Sequence, residues 1–433
     1  MESVSARYRD VLGTRSFSFL WAGQVISNFG DRFNYMAVMG LILFNWGGSA
    51  LDAGFMFIFM TLPALLFGPI AGVYVDRYEK KRVMILCDIV RAGLVALLPF
   101  ATSLFQVYAL IFLVSSVSRF FYPARSAIIP LIVSKDSLLA ANSLSQSTYQ
   151  VSAIAGYAVG GALVGLLGPL AVFYLDAVSY LVSAVFIWSI RYAECLAPAD
   201  GTSATGIAAS LQKAKEEMAD GLQYVVSEKR ILYIFSTFSL SVLFFGGINI
   251  LWVILVRDVL GLGIGGMGIL ESSMGGGMLV GTVAVGYLGY RVHNRALVLW
   301  GLLVSALSFL FIGVWAVLAN VLFWVFVAGA ALSFVNVPAI TIVQRITPQH
   351  LMGRVFGLLG TLLDTASLIS MGVVGLLADL YSVQSLIIAS AVCILVITGA
   401  AALVHVSLEV EECPAGGPVI PVPGEDLAVP SGE

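Results

Sequence analysis

Residues 72–82 read GVYVDRYEKKR, and residues 286–295 read GYLGYRVHNR. Each is a glycine-led, base-rich break between two long apolar runs, and Gly72 with Gly286 and Arg77 with Arg291 stand 214 residues apart. A second pair lies further on, where YPARSAII from Tyr122 is echoed by VPAITIV from Val337, with Pro123 and Pro338 separated by 215 residues. Two markers at nearly one offset indicate a duplicated chain. Working outward from these breaks gives twelve apolar runs, near 17–44, 53–75, 82–100, 105–125, 140–167, 170–190, 231–256, 265–289, 296–316, 320–342, 355–380 and 383–406. A bilayer core takes roughly 20 apolar residues per helical crossing, against about 9–11 for a barrel strand. In lipid each helix satisfies its own backbone, so runs of this length are read as helices.

The expected fold is an all-α membrane protein with twelve transmembrane helices in two pseudo-repeated six-helix bundles. The first bundle covers 1–190 and the second 231–406, joined by a linker at 191–230 and followed by a disordered acidic tail at 407–433. Within the linker, Leu211, Ala214, Met218, Leu222 and Val225 recur at helical spacing opposite Lys213, Lys215, Glu216, Glu217 and Asp220, which predicts an amphipathic helix. Of the 433 residues 59% are apolar and 11% charged, whereas soluble domains run about 45–50% and about 25%. That excludes an ordinary soluble enzyme.

The bases orient the chain. Of 22 Lys and Arg, 18 fall in segments on the side of the termini and only Arg257 in those opposite, so both termini are expected in the cytoplasm and the host membrane is the plasma (inner) membrane. Arg7, Arg9 and Arg15 before a first run too long for a leader predict a retained span. A net charge of -3 with scattered bases argues against nucleic acid. Cys87, Cys195, Cys393 and Cys413 form no CxxC pair, so no metal is expected. The pattern GxxxxGK[ST] is missing and the three histidines, His293, His350 and His405, belong to no nucleophile–base cluster, so no catalytic residue, cofactor or enzyme activity is expected.

Gly72, Asp76, Arg77, Lys81 and Arg82 resemble the signature loop between spans 2 and 3 of the major facilitator superfamily, with Glu79 about where the second glycine of that loop stands. GDRFNY in span 1, DIVRAG in span 3, FYPARSAIIPLIV after span 4 and LLAANSL opening span 5 are similar to the branch of drug and siderophore exporters that includes macrolide efflux pumps and the enterobactin exporter. The resemblance implies that the loop ties the two halves together on the cytoplasmic side when the cavity faces outward. The bases of the loop also act as a topology signal in their own right. Gly156, Gly160 and Gly161 resemble the antiporter motif without its proline, and close helix packing explains those glycines equally well.

Ionisable residues inside spans are costly and mark function by default. Asp31 lies at the centre of span 1 beside Arg32, with Arg119 of span 4 as a possible neighbour, and is the first candidate for proton coupling. Permanent pairing with an arginine is its competing role. Asp364 in span 11 is the second candidate and Glu271 in span 8 the third, while Arg119 loosely resembles the span 4 arginine motif of proton-coupled members and is read as coupling or structural alike. Asp88 and Arg91, three residues apart, read as a structural ion pair, and Asp176 as a packing or water contact.

The expected function is secondary active export of an amphiphilic small molecule, drug or siderophore-like, by alternating access in exchange for protons. The expected partners are that substrate, protons and membrane lipid, and the expected state is a monomer. A lipid or lysolipid transporter, or a transport-inactive receptor or scaffold on the same fold, are the alternatives.

Overall fold

The computed structural model describes residues 10–134, 137–192, 219, 221–288, 291–348 and 351–404, with the side chains of 69, 70, 72, 73, 76, 77 and 139 outside the described set. The expected linker helix falls largely outside it, although 221–227 are helical, and the tail at 407–433 lies outside it entirely. The first half contains α1 (Arg15–Met39, prolonged by a π turn Gly40–Asn45), α2 (Ala50–Arg77), α3 (Lys80–Leu97) and α4 (Leu104–Ile132). A long helix, Leu138–Trp188, follows and is broken at Gly168 into α5 (138–167) and α6 (169–188). The second half contains α7 (Lys229–Val259), α8 (Ile264–Leu288), α9 (Asn294–Val314), α10 (Leu318–Ile346), α11 (Met352–Leu377) and α12 (Val383–Leu403).

Among the described residues, ten stretches are long and apolar enough to cross a membrane by length and composition. The difference from the expected twelve has two physical sources. One is the break at Gly168, where φ is 78° and Pro169 follows, so a single stretch contains two helices. The other is α1, whose Gln24, Asn28, Asp31, Arg32 and Asn34 lower its hydropathy; Gln24 and Asn28 are buried within the protein. The end of α4 also differs from expectation. Pro123 and Pro130 lie inside the helix, which runs on to Ile132 and carries Arg125 with it. Prolines are tolerated inside membrane helices because neighbouring helices and side chains satisfy the backbone groups they free.

The duplication reaches individual backbone bonds. After α1, Trp46 N–H donates to Leu41 (3.0 Å), Gly48 N–H donates to Ile42 (2.9 Å) and Gly47 takes φ 65°. After α7, Leu260 N–H donates to Leu255 (2.9 Å), Leu262 N–H donates to Val256 (2.9 Å) and Gly261 takes φ 63°. Every one of these residues has its counterpart 214 positions later. Helix packing repeats as well: α1 on α5 and α6, α2 on α4, and α3 on α4 and α6 are matched by α7 on α11 and α12, α8 on α10, and α9 on α10 and α12.

The halves meet through α5 on α8 and α2 on α11. Both seams run glycine against glycine. A β-carbon on Gly161 would lie 3.1 Å from the Gly268 Cα, and one on Gly54 would lie 3.7 Å from the Gly375 Cα. Gly54 matches Gly268 and Gly161 matches Gly375, again at 214 residues. Both seams lie toward the end remote from the termini, where Arg257 of α7 also donates to the carbonyls of Leu43 (3.0 Å) and Gly48 (2.6 Å). One apolar cluster there joins both halves, from Met36 and Ile42 to Trp252 and Met371. At the terminus side the core divides into two separate clusters, one around Phe17, Met84 and Phe121 and one around Ile231, Phe235 and Ile342. Among the described residues the apolar core is therefore continuous across the halves at the remote end and divided at the other.

Gly268→Val tests the seam. A β-carbon there would sit 2.6 Å from the Tyr157 carbonyl oxygen, so α5 and α8 must separate. We expect several-fold faster thiol labelling, from the remote side, of a Val256→Cys probe in a chain otherwise lacking cysteine. Unchanged labelling at equal expression would show that the seam does not hold this end shut.

Candidate functional site

The charged residues within the helices sort into three groups. Asp31 and Arg32 are consecutive on α1, so their side chains diverge by about 100°. Asp31 turns to α6 and accepts a hydrogen bond from the Tyr180 hydroxyl. Arg32 turns to α5, where its Nη1 donates to Tyr157 Oη at 2.8 Å and its guanidinium lies 4.7 Å from the Tyr149 ring centre and 5.1 Å from that of Tyr157. Such cation–π contacts are strongest when desolvated. Gly156 and Gly160 permit this approach: β-carbons there would lie 2.9 Å from Arg32 Cβ and 3.2 Å from Phe33 Cα. Of the three motif glycines, Gly156 and Gly160 therefore receive α1, whereas Gly161 receives α8.

The first group continues inward from Asp31. The Tyr180 ring and the Phe121 ring sandwich the Arg91 guanidinium at 4.3 and 4.4 Å. Arg91 in turn pairs with Asp88, and both are almost fully buried, at 2% and 0% exposure of their side chains. Asp176, also fully buried, accepts from Ser179 Oγ at 3.1 Å and lies against the Gly30 backbone, in space that a side chain at Gly30 would occupy.

The second group crosses between the halves. Glu271 of α8 lies within the electrostatic reach of Arg32, Tyr35 and Tyr157, and it makes no hydrogen bond or ion pair among the described residues. Aromatic rings surround this region, with Tyr35 5.3 Å from Tyr157 and 6.1 Å from Phe57 between ring centres. The third group also crosses: the charge of Arg119 on α4 acts on Asp364 of α11. The charge of Arg119 thus reaches Asp364, and the interhelical hydrogen bond to Asp31 comes from a tyrosine.

In the loop between α2 and α3 the backbone is helical to Arg77, and the side chains of Gly72, Asp76 and Arg77 lie outside the described set. Lys81 Nζ donates to the Ile190 carbonyl at 2.8 Å, and Arg82 pairs with Glu79. Both bases bond within the first half, at the parted end of the bundle. Tyr149, Tyr157 and Tyr180 are site residues that the sequence reading missed. Tyr157 stands inside the glycine motif, and Tyr180 stands four residues after Asp176 on one helix face, which are the signals that would have found them.

A family model described as "Transmembrane secretion effector" matches residues 11–429. The chain is 29% identical over 394 residues to the uncharacterized MFS-type transporter YfiS of Bacillus subtilis (strain 168), covering 89% of this chain and 92% of that one. It is 26% identical over 374 residues to macrolide efflux protein A of Streptococcus pyogenes, covering 84% and 89%. Among solved structures, a bacterial homologue of the iron transporter ferroportin in an inward-facing state superposes with a TM-score of 0.69 at 14% identity, covering 90% of this chain and 99% of that one. At that identity the likeness speaks for the fold alone.

Proposed function

Because the chain belongs to the transmembrane secretion effector family of the major facilitator superfamily, we propose that it exports an amphiphilic small molecule by alternating access, in exchange for protons. That it is a multi-pass membrane transporter of small molecules follows from the family. The finer reading rests chiefly on the parted bundle, with one apolar cluster shared at the remote end and two separate clusters at the terminus side. Two halves that close at one end and part at the other are what a rocking transporter needs. Asp364 and Arg119 belong to opposite halves, so a proton gained or lost by Asp364 changes the attraction between them. The aromatic surroundings of Arg32 and Glu271 suit an amphiphile better than a sugar, which would require many hydrogen-bond partners. The efflux name of the S. pyogenes relative supports the outward direction. On this reading the termini are cytoplasmic, the host is the plasma membrane and the working unit is a monomer.

An export screen in cells lacking their own pumps tests the reading. Retained amphiphiles should fall several-fold on expression, and a protonophore should restore them. The signature loop has its own test: Asp76→Asn should leave insertion intact and lower turnover several-fold by shifting the balance of access states. Wild-type rates at equal surface level would remove the latch role of Asp76.

A further inference from the structure

The first-half cluster contains more acid than the transport reading uses. Arg91, a buried guanidinium, pairs with Asp88 of α3, and its charge also acts on Asp31 of α1 and Asp176 of α6. Arg32 stands at the edge of the group, held toward α5 by Tyr149 and Tyr157, and its charge reaches Asp31. Tyr122 of α4 also faces Asp31 and Arg91, and Asn34 of α1 faces Asp176. Arg91 alone stands among the three carboxylates, and Arg32 is shared with Glu271 of α8, so the acids outnumber the guanidiniums, and an uncompensated charge inside a membrane protein is expensive.

The bonding shows where a neutralising proton belongs. Asp88 has a direct partner in Arg91. Asp31 accepts from Tyr180 and Asp176 from Ser179, both neutral donors. Among the described residues, Asp176 Oδ2 is buried without a hydrogen-bond partner. The two acids are close: Asp176 lies against Gly30, Tyr180 one turn beyond Asp176 on α6 donates to Asp31, and the charge of Asp31 acts on Asp176. Two carboxylates that share a site do not both ionise readily. We propose that Asp31 and Asp176 share one proton, making Asp176 the second half of the proton-binding site and Tyr180 the positioning residue that fixes Asp31 toward it. The proposal rests on the proton-coupled reading and assigns Asp176 a role beyond packing.

Infrared difference spectroscopy of the purified full-length protein, neutral against alkaline pH, reads the shared proton without any transport. Wild type should show a protonated carboxyl signal that both Asp31→Asn and Asp176→Asn abolish; a signal that survives in Asp176→Asn overturns the proposal. Export measured against pH in vesicles gives an independent sign. With one of the two acids that hold the proton gone, Asp176→Asn should move the profile to lower pH. Tyr180→Phe, which keeps the ring over Arg91, removes a donor to the ionised carboxylate and should move the profile higher. Equal loss of activity at every pH in both variants would mean packing alone and overturn the proposal. A shared signal without proton-driven export would instead defeat the coupling reading and leave the shared proton standing.

Discussion

Asp31→Asn is expected to abolish proton-driven export while leaving insertion, substrate binding and downhill equilibration intact. Asn keeps the size of the side chain and still accepts a hydrogen bond from Tyr180, so the junction of α1 with α6 survives. It cannot exchange a proton. Asp31 is partly exposed, whereas Asp88 and Asp176 are fully buried, so it is the most accessible carboxylate of the cluster. In energised vesicles the accumulation ratio should fall to one, with facilitated equilibration preserved. Full uphill, protonophore-sensitive export by this variant would eliminate Asp31 as the obligatory carrier, and Asp364, which the charge of Arg119 reaches between the halves, would be tested next.

The largest effect on stability is expected from Arg91→Leu. The guanidinium pairs with Asp88 and fills the space between Tyr180 and Phe121. Its removal leaves Asp88 buried with an unopposed charge, and breaking such a pair from one side costs about 3–5 kcal/mol. Thermal unfolding in detergent and the yield of folded protein should both fall sharply. Adding Asp88→Leu removes the stranded charge, so the double variant should recover part of the loss. A double variant as unstable as the two single losses combined would show that the residues do not act as a pair.

Much of the architecture was legible along the chain. The glycine-led breaks at Gly72 and Gly286 announced the duplication, and the structure carries it to matched left-handed glycines, Gly47 and Gly261. The break between α5 and α6 was legible because Gly168 and Pro169 act locally. The end of α4 was not, since proline breaks helices in water but is tolerated in membrane helices, where neighbouring groups satisfy the backbone it frees. The Asp88–Arg91 pair was legible because three residues separate them on one helix. The partners of Asp31, Arg32 and Arg119 were not, because they come from α6, α5 and α11, and pairing between helices depends on how those helices rotate as they pack. The sense in which the bundle parts was equally hidden: the glycines of both seams stand in the sequence, but which of them touch is a property of the assembled halves.

Proton-coupled export is tested most directly in proteoliposomes containing the purified chain, a trapped pH indicator and an imposed proton gradient. Adding a macrolide or a cationic amphiphilic dye that the export screen has identified should evoke a proton flux opposite to the movement of substrate, lost in Asp31→Asn and present in a conservative surface variant. Substrate movement that proceeds uphill with no accompanying proton flux, or no movement of any screened amphiphile by correctly inserted protein, would contradict the account.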